Sequence, residues 1–402
     1  MKKVVAVFGT MDTKGAEYFF LKEQLERNGV ETLMIDTGIS PQTAFPCQIS
    51  CEEVARAGGG TLADIGRHER NFAFELMGSG SAAIVRRLCN EGKIDGAISL
   101  GGGQGTLLAA MVMRELPIGF PKMIVSTIVN LRTPPFEGVK DTVVMNSLVD
   151  VCGLNRVLRM VLRTAAASMA GMVLFERQDD CADAKKKVVG MSMFGVTTPC
   201  VNHVRDILEA NGYEVIVFHA NGVGGKRLEE MVRSGTIGAV ADITTGEVGQ
   251  EYVGGNCTAG PHRMEAAAET GAPQIVVPGA MDLANFMPPS SLPTKYAGRA
   301  GYMHNPNLFL MRTNAEECSV IGRILAEKVN RSTGPVEVIL PKKGISQYSS
   351  PCGPLVDRAA DKALFTALQE NLRRDIPVIE CDLAINDPQF AEIVAQEMMK
   401  IY

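Results

Sequence analysis

A chain of 402 residues exceeds what one ordinary hydrophobic core serves and is long enough for two doubly wound lobes, each with its own apolar interior. Hydrophobic residues make up 46% and charged residues 21%; with no Trp and 5% aromatics, this composition fits aliphatic-rich parallel sheets and argues against disorder. A formal net charge of -5 and a pI of 5.7 leave no footprint for nucleic acid or an anionic membrane, so small molecules and proteins are the expected partners.

At the start of the chain, Met1, Lys2 and Lys3 precede the run Val4 to Phe8, in the charge-then-apolar order of a signal peptide. The run stops at Gly9, with Asp12 and Lys14 following, so it reads as a first strand. No other stretch approaches a membrane span, and a cytoplasmic location is expected. The 10 cysteines show no repeated C-x-x-C pairs and read as reduced thiols; Cys47 and Cys51 lack the second ligand pair a metal site needs.

The first half repeats a short aliphatic run, a turn rich in Gly, Thr or Asp, and a helical pattern, which is the pattern of a parallel sheet. The predicted strands are Val4 to Phe8, Thr32 to Ile35, Ile94 to Leu100, Met123 to Ile128 and Thr142 to Met145. Helical patterns cover Ala16 to Arg27, Phe72 to Cys89, Leu107 to Glu115 and Leu154 to Leu174. Gly58 to Arg70 reads as an irregular, mobile loop. The polar stretch Glu176 to Lys187 reads as a linker whose lysine run is solvated, dividing the chain into 1–184 and 185–402.

The second half begins the same pattern with Val188 to Phe194 and a helix through Leu208. Further strands are expected at Glu214 to Phe218, Ala239 to Ile243, Gln274 to Val277, Leu308 to Met311, Val336 to Leu340 and Val378 to Cys381. Phe8-Gly9-Thr10 and Phe194-Gly195-Val196 are parallel strand ends; they suit two lobes of related topology and equally suit common strand-to-helix turn chemistry.

The strongest chemical signal is Ser99-Leu100-Gly101-Gly102-Gly103-Gln104-Gly105-Thr106, between an apolar strand and an amphipathic helix. Glycines admit positive φ and close approach of a ligand, while the first amides of a helix lack intrahelical partners and face an anion. Phosphate is the expected occupant, although the same glycines would suit a tight turn without a ligand. No lysine follows as in a Walker motif, and the register of a dinucleotide fingerprint is missing.

Gly9 to Glu17 forms the turn after the first strand and should converge on the same crevice. Here Lys14 suits phosphate, Thr10 and Thr13 suit hydrogen bonding to it, and Asp12 or Glu17 suits a metal ion; a capping Asp12 and a solvated Glu17 are the plainer alternative. Asp36, at the end of the second strand, is placed as a ribose ligand would be. Ser126, Thr127, Asn146, Ser147 and Asp150 also end strands on the crevice side. In the second half, Gly195 to Pro199 and Asp242 to Glu247 are polar strand ends of a second crevice wall, with Arg263, Asp282, His304, Asn305 and Arg312 adding charge. No spacing spells a zinc site or a Ser-His-Asp triad.

Together, Asp12-Thr13-Lys14, Ser99 to Thr106, Leu116 to Gly119, Val149 to Gly153, Ala170 to Val173, Met193 to Val201, Asp242 to Thr245 with Glu247, Gly222 to Gly225, His304-Asn305 and Ile385 to Asp387 carry a resemblance that runs nearly end to end. The chain resembles the family of the ATP-binding N-terminal domain of the plant tobamovirus-resistance protein and its bacterial and fungal relatives. The resemblance implies two Rossmann-like lobes, ATP in the first and assembly as a homodimer. It carries Thr10, Asp12, Thr13, Lys14, Gly102, Gly103, Gly105 and Thr106 over as nucleotide-site candidates, to which the strand-end argument adds Glu17, Asp36, Gly101 and Thr127. In the plant relative a TIM-barrel-like domain follows, so a separate barrel protein is an expected partner here. Gly246 and Ser346-Gln347-Tyr348 depart from the family pattern.

The resulting expectation is an ATP-using metabolic enzyme, of phosphotransferase or ligase type, acting on a small acid or carbohydrate held between the lobes. Mg2+ is expected on Asp12 and Glu17, with Glu247, Arg263 and His304 as catalytic residues toward the second ligand. The alternative is a non-catalytic, nucleotide-responsive binding module; a nicotinamide dehydrogenase fits less well, because the Gly turn follows a later strand.

Overall fold

The computed structural model describes residues 2–41, 44–65, 70–129, 140–175 and 186–402. The expected linker lies almost wholly outside the described residues, as does part of the expected loop at Gly58 to Arg70. The chain divides into two compact units, Met1–Asp179 and Asp180–Tyr402.

The first unit runs β1 (Val4–Gly9), α1 (Met11–Arg27), β2 (Glu31–Asp36), α2 (Cys51–Ala57), α3 (Leu62–Ile65), α4 (Arg70–Asn90), β3 (Gly96–Gly101), α5 (Gly103–Glu115), β4 (Lys122–Ser126), β5 (Val143–Asn146) and α6 (Arg156–Leu174). Its five strands pair in parallel in the order β2-β1-β3-β4-β5. Alternate strand residues feed opposite faces: Ala6, Phe8, Ala97 and Ile124 pack on α2, α4 and α5, while Val5, Val7, Ile98 and Val125 pack on α1 and α6. Burial on both faces explains why these strands read as continuous apolar runs.

Helix α2 was not expected from periodicity, although Ser50 and Glu53 form a capping box at its start. Helix α6 is long and apolar enough to cross a membrane, at mean hydropathy 1.4, contrary to the expectation that no later stretch approaches a span. In the fold it buries Leu158, Leu162, Ala165, Ala166 and Met169 against the sheet, as a core helix does.

The second unit runs β6 (Val188–Met193), α7 (Thr198–Ala210), β7 (Glu214–His219), α8 (Val223–Arg233), β8 (Ala239–Asp242), α9 (Gly246–Val253), α10 (Ala266–Thr270), β9 (Gln274–Val276), β10 (Leu283–Phe286), β11 (Gly301–Asn305), β12 (Leu308–Arg312), α11 (Ala315–Val329), β13 (Val336–Pro341), α12 (Arg358–Asn371), β14 (Val378–Cys381) and α13 (Pro388–Ile401). Its main sheet is parallel, in the order β7-β6-β8-β9-β13-β14. Counted from its own first strand, that is the same 2-1-3-4-5 order as in the first unit, with one strand added. Both units are therefore doubly wound, Rossmann-like α/β sheets. The run Leu308 to Met311 is a correction: as β12 it joins β10 and β11 in a separate antiparallel sheet.

Candidate functional site

In a 2-1-3-4-5 sheet the chain reverses its winding direction between the first and third strands, and the crevice beyond their carboxyl ends is where ligands bind. In the first unit that point lies between β1 and β3. A cavity of about 470 Å³ opens there, lined by Thr10, Asp12, Thr13 and Lys14 from the β1 turn and by Ser99 to Gly105 from the β3 turn. Tyr18, Thr37, Ile39, Ala73, Phe74, Met77 and Leu108 complete it. One wall is thus polar, with a cation and exposed amides, and the other apolar.

The glycine turn opens α5. Thr106 N–H is bonded back to Gly102 O at 2.8 Å, so the amides of Gly103, Gln104 and Gly105 precede the helical ladder. None of Gly101, Gly102, Gly103 or Gly105 has positive φ, contrary to the expectation from composition. Only Gly101 has an internal need to be small: a Cβ there would lie 3.0 Å from Gly105 Cα. At Gly102 and Gly105 the nearest atoms would be 3.7 and 3.6 Å away, and at Gly103 nothing lies within 4 Å. These three positions are bare although the protein has room for a side chain at each.

In the β1 turn, Thr13 and Lys14 amides bond to Thr10 O, Thr13 Oγ1 donates to Thr10 Oγ1 at 2.9 Å, and Met11 N–H bonds to Asp36 Oδ1. Lys14 leaves helical geometry at φ -129°, ψ 19°, which kinks α1 after its first turn. Its ammonium has no carboxylate partner among the described residues. Asp12 Oδ2 accepts from the amides of Ile39 and Ser40, whereas Asp12 Oδ1 and Thr37 Oγ1 are buried without a hydrogen-bond partner. Unsatisfied buried oxygens are rare in folded proteins, and these two belong to residues that line the cavity.

Four sequence candidates lie off this cavity. Glu17 Oε1 accepts from Gly153 N–H at 2.6 Å and ties α1 to the loop before α6. Asp36 Oδ1 takes the amides of Met11 and Gly38 and braces the β1 turn; burial, with Asp12 and Glu52 nearby, outweighs those hydrogen bonds and raises its pKa. Thr106 is fully buried and bonded to Ser126 Oγ at 2.8 Å. Thr127 lies across the glycine turn, in a second cavity of about 610 Å³ formed with Asn146, Ser147 and Asp150. Among the described residues no group of three or more His, Cys, Asp or Glu is placed to hold a metal.

In the second unit the strand-end residues bond to one another. Arg263, with no exposed side-chain surface, gives Nη1 and Nη2 to Asp242 at 2.6 and 2.7 Å, Nε to Glu247 at 2.6 Å and Nη1 to Glu229 at 3.3 Å. Burial disfavours its charge, but the three carboxylates outweigh burial and hold its pKa well above the ordinary value. Glu247 Oε1 also accepts from the amides of Gly222 and Gly225 at the start of α8. Glu247 and Arg263 are therefore brought together, but as a buried brace. His304 sits apart from them on the exposed β11, its ring bonded to Tyr348 Oη at 2.9 Å.

The N-terminal domain of Uncharacterised protein family (UPF0261) matches residues 3–178 and the C-terminal domain of that family matches residues 186–402. The chain belongs to the UPF0261 family. A UPF0261 protein of Clostridium tetani is 41% identical over 403 residues, covering 100% of this chain and 99% of that protein. One from Mesorhizobium japonicum is 40% identical over 398 residues, with 98% of each chain covered. The ToMV resistance protein Tm-1 of Solanum lycopersicum is 35% identical over 424 residues, which is 99% of this chain and 55% of the plant protein.

In this UPF0261 protein the residues that sequence reasoning missed are chiefly apolar. Ala73, Phe74 and Met77 share one face of α4, and Leu108 comes from α5. Their helical spacing was legible, but which face of α4 meets the carboxyl ends of the strands is a tertiary fact. Tyr18 is a further addition: its hydroxyl bonds to Ser99 Oγ, Leu100 O and Leu100 N–H, and burial raises its pKa to about 12.

Proposed function

We propose that the first unit binds ATP in the cavity between the β1 and β3 turns, and that the protein uses it on a small molecule. The observation that carries this reading is the bare turn at Gly102, Gly103 and Gly105. Inside a helix, as at Gly103 and Gly105, glycine costs about 0.5–1 kcal/mol relative to alanine, whereas at the N-cap Gly102 it is tolerated. Here neither backbone conformation nor packing requires it. The cost is offset if a ligand must approach the amides that head α5, and a helix start with free amides beside an uncompensated lysine selects phosphate. The apolar wall of Ala73, Phe74, Met77 and Leu108 suits the base of a nucleotide.

Within this reading Lys14 neutralises phosphate charge, and the hydroxyls of Thr10 and Thr13 bond phosphate oxygens. Asp12 fits a magnesium ion, since one buried oxygen of its carboxylate has no partner. Mg2+ is ordinarily held by one or two carboxylates, waters and the phosphates themselves, and when bound it would screen phosphate charge. Glu17 does not fit that role, because its carboxylate is engaged by Gly153.

Calorimetric titration of ATP into the wild-type protein and the Gly103→Val variant tests the proposal. A valine at position 103 meets no protein atom through its Cβ, so the fold should persist while ATP affinity falls more than tenfold. Unchanged ATP affinity in a folded Gly103→Val protein, or no ATP binding by the wild type, would overturn the assignment.

A further inference from the structure

The glycine turn has two sides. Gly102 and Gly103 line the nucleotide cavity on one and the cavity of about 610 Å³ on the other, where the carboxyl ends of β4 and β5 supply Thr127, Asn146 and Asp150. Asn146 Oδ1 is taken by Leu148 N–H at 2.9 Å, which points the role of its side chain toward the amide Nδ2, a donor. Asp150 is exposed and has no ion-pair or hydrogen-bond partner among the described residues. Among the described residues the lining includes no Lys, Arg or His. Beside the glycine-turn amides, the carboxylate, hydroxyl and amide of these side chains exchange hydrogen bonds with hydroxyls, and the Asp150 carboxylate repels anions.

We infer that this second cavity binds a neutral, polyhydroxylated small molecule, a sugar or polyol, beside the nucleotide and within the first unit. The inference rests on the nucleotide reading for its setting and separates the two ligand classes suggested by sequence: a carbohydrate is favoured and an acid disfavoured. Asp150 accepts from a pair of ligand hydroxyls, Thr127 and Asn146 bond the remaining oxygens, and Gly102 and Gly103 allow close approach. It also moves the expected second-ligand site away from Glu247, Arg263 and His304.

The test uses the whole chain, with a non-hydrolysable β,γ-imido analogue of ATP and a panel of ribose, glucose, glycerol, inositol, gluconate and malate, read by calorimetry and thermal shift. At least one neutral member should bind and the acids should not. Asp150→Asn should weaken the neutral ligand at least tenfold and leave analogue affinity unchanged, and Asp150→Lys should abolish it and admit an acid. No binding by any neutral member, preferential binding of an acid to the wild type, or insensitivity to both variants overturns the inference. Loss of analogue affinity in Asp150→Asn also overturns it, since one ligand would then span the turn. Absence of analogue binding with intact, Asp150-dependent polyol binding would instead sink the nucleotide reading and leave the polyol site standing.

Discussion

The Tyr18 hydroxyl occupies the space of a side chain at Gly9: a Cβ built on Gly9 would lie 1.8 Å from Tyr18 Oη. Gly9 is thus small to admit a residue from the next helix, and Tyr18 in turn joins α1 to β3 through Leu100 and Ser99. The two glycine turns of the first unit owe their composition to different causes. One makes room for the protein itself, and the other leaves room beyond it.

Replacing Gly9 by alanine should therefore destabilise the protein by about 1–3 kcal/mol, the range of overpacked buried sites. Urea unfolding of Gly9→Ala, Tyr18→Ala and the double variant checks this. The two changes should be strongly non-additive, because the second removes the clash created by the first. Additive losses would show that Gly9 is small for another reason.

Lys14→Met should leave stability within about 0.5 kcal/mol of wild type, since the ammonium has no carboxylate to lose. Its affinity for ATP should fall by about tenfold to a hundredfold, the loss of one charge-assisted contact to phosphate. A variant that loses stability but keeps its affinity would place Lys14 among the structural residues.

Arg263→Met should cost about 3–5 kcal/mol, because it leaves Asp242, Glu247 and Glu229 buried without their cation. Thermal unfolding followed by a probe in the second unit reads the effect. A folded, equally stable variant with impaired turnover would restore a catalytic role to this residue.

Asp361, bonded to Arg312 Nη2 at 2.5 Å, titrates at about 6 rather than 3.8. Burial is the main cause and the Asp282 charge adds to it, against the lowering by Arg312 and Arg358. A folded-state pKa above the unfolded value means that the native state holds the proton longer. The stabilisation is complete below about pH 3.8 and is lost as pH rises through 6, amounting to about 3 kcal/mol. The difference in unfolding free energy between wild type and Asp361→Asn should therefore change between pH 4 and 6. A flat difference across that window would contradict the assignment.

The strands of both parallel sheets were legible because residues such as Val5 to Phe8 and Ala239 to Ala241 are buried from both sides and leave an unbroken apolar run. The antiparallel sheet was not, since β11 is mostly exposed and β10 carries Asn285 to bond Gln250. The polar half of the first cavity was legible from strand-to-helix turns, whereas its apolar half comes from α4, a helix packed from elsewhere in the sequence. The pairing of Glu247 with Arg263 was not legible for a physical reason. A titratable residue at a strand end looks the same in sequence whether it faces a guest molecule or another side chain, and only the hydrogen-bond geometry separates the two.

The carboxylate of Glu247 resting on the amides of Gly222 and Gly225 adds a contrast between the units. The helix start after the second strand of the second unit carries an anion covalently attached to the chain, while the start of α5, after the third strand of the first unit, keeps its amides open at Gly103 to Gly105. One helix start is thus filled by a carboxylate of the chain itself and the other, among the described residues, by none. Vacating the filled helix start would require giving up an internal brace, since the same carboxylate also holds Arg263.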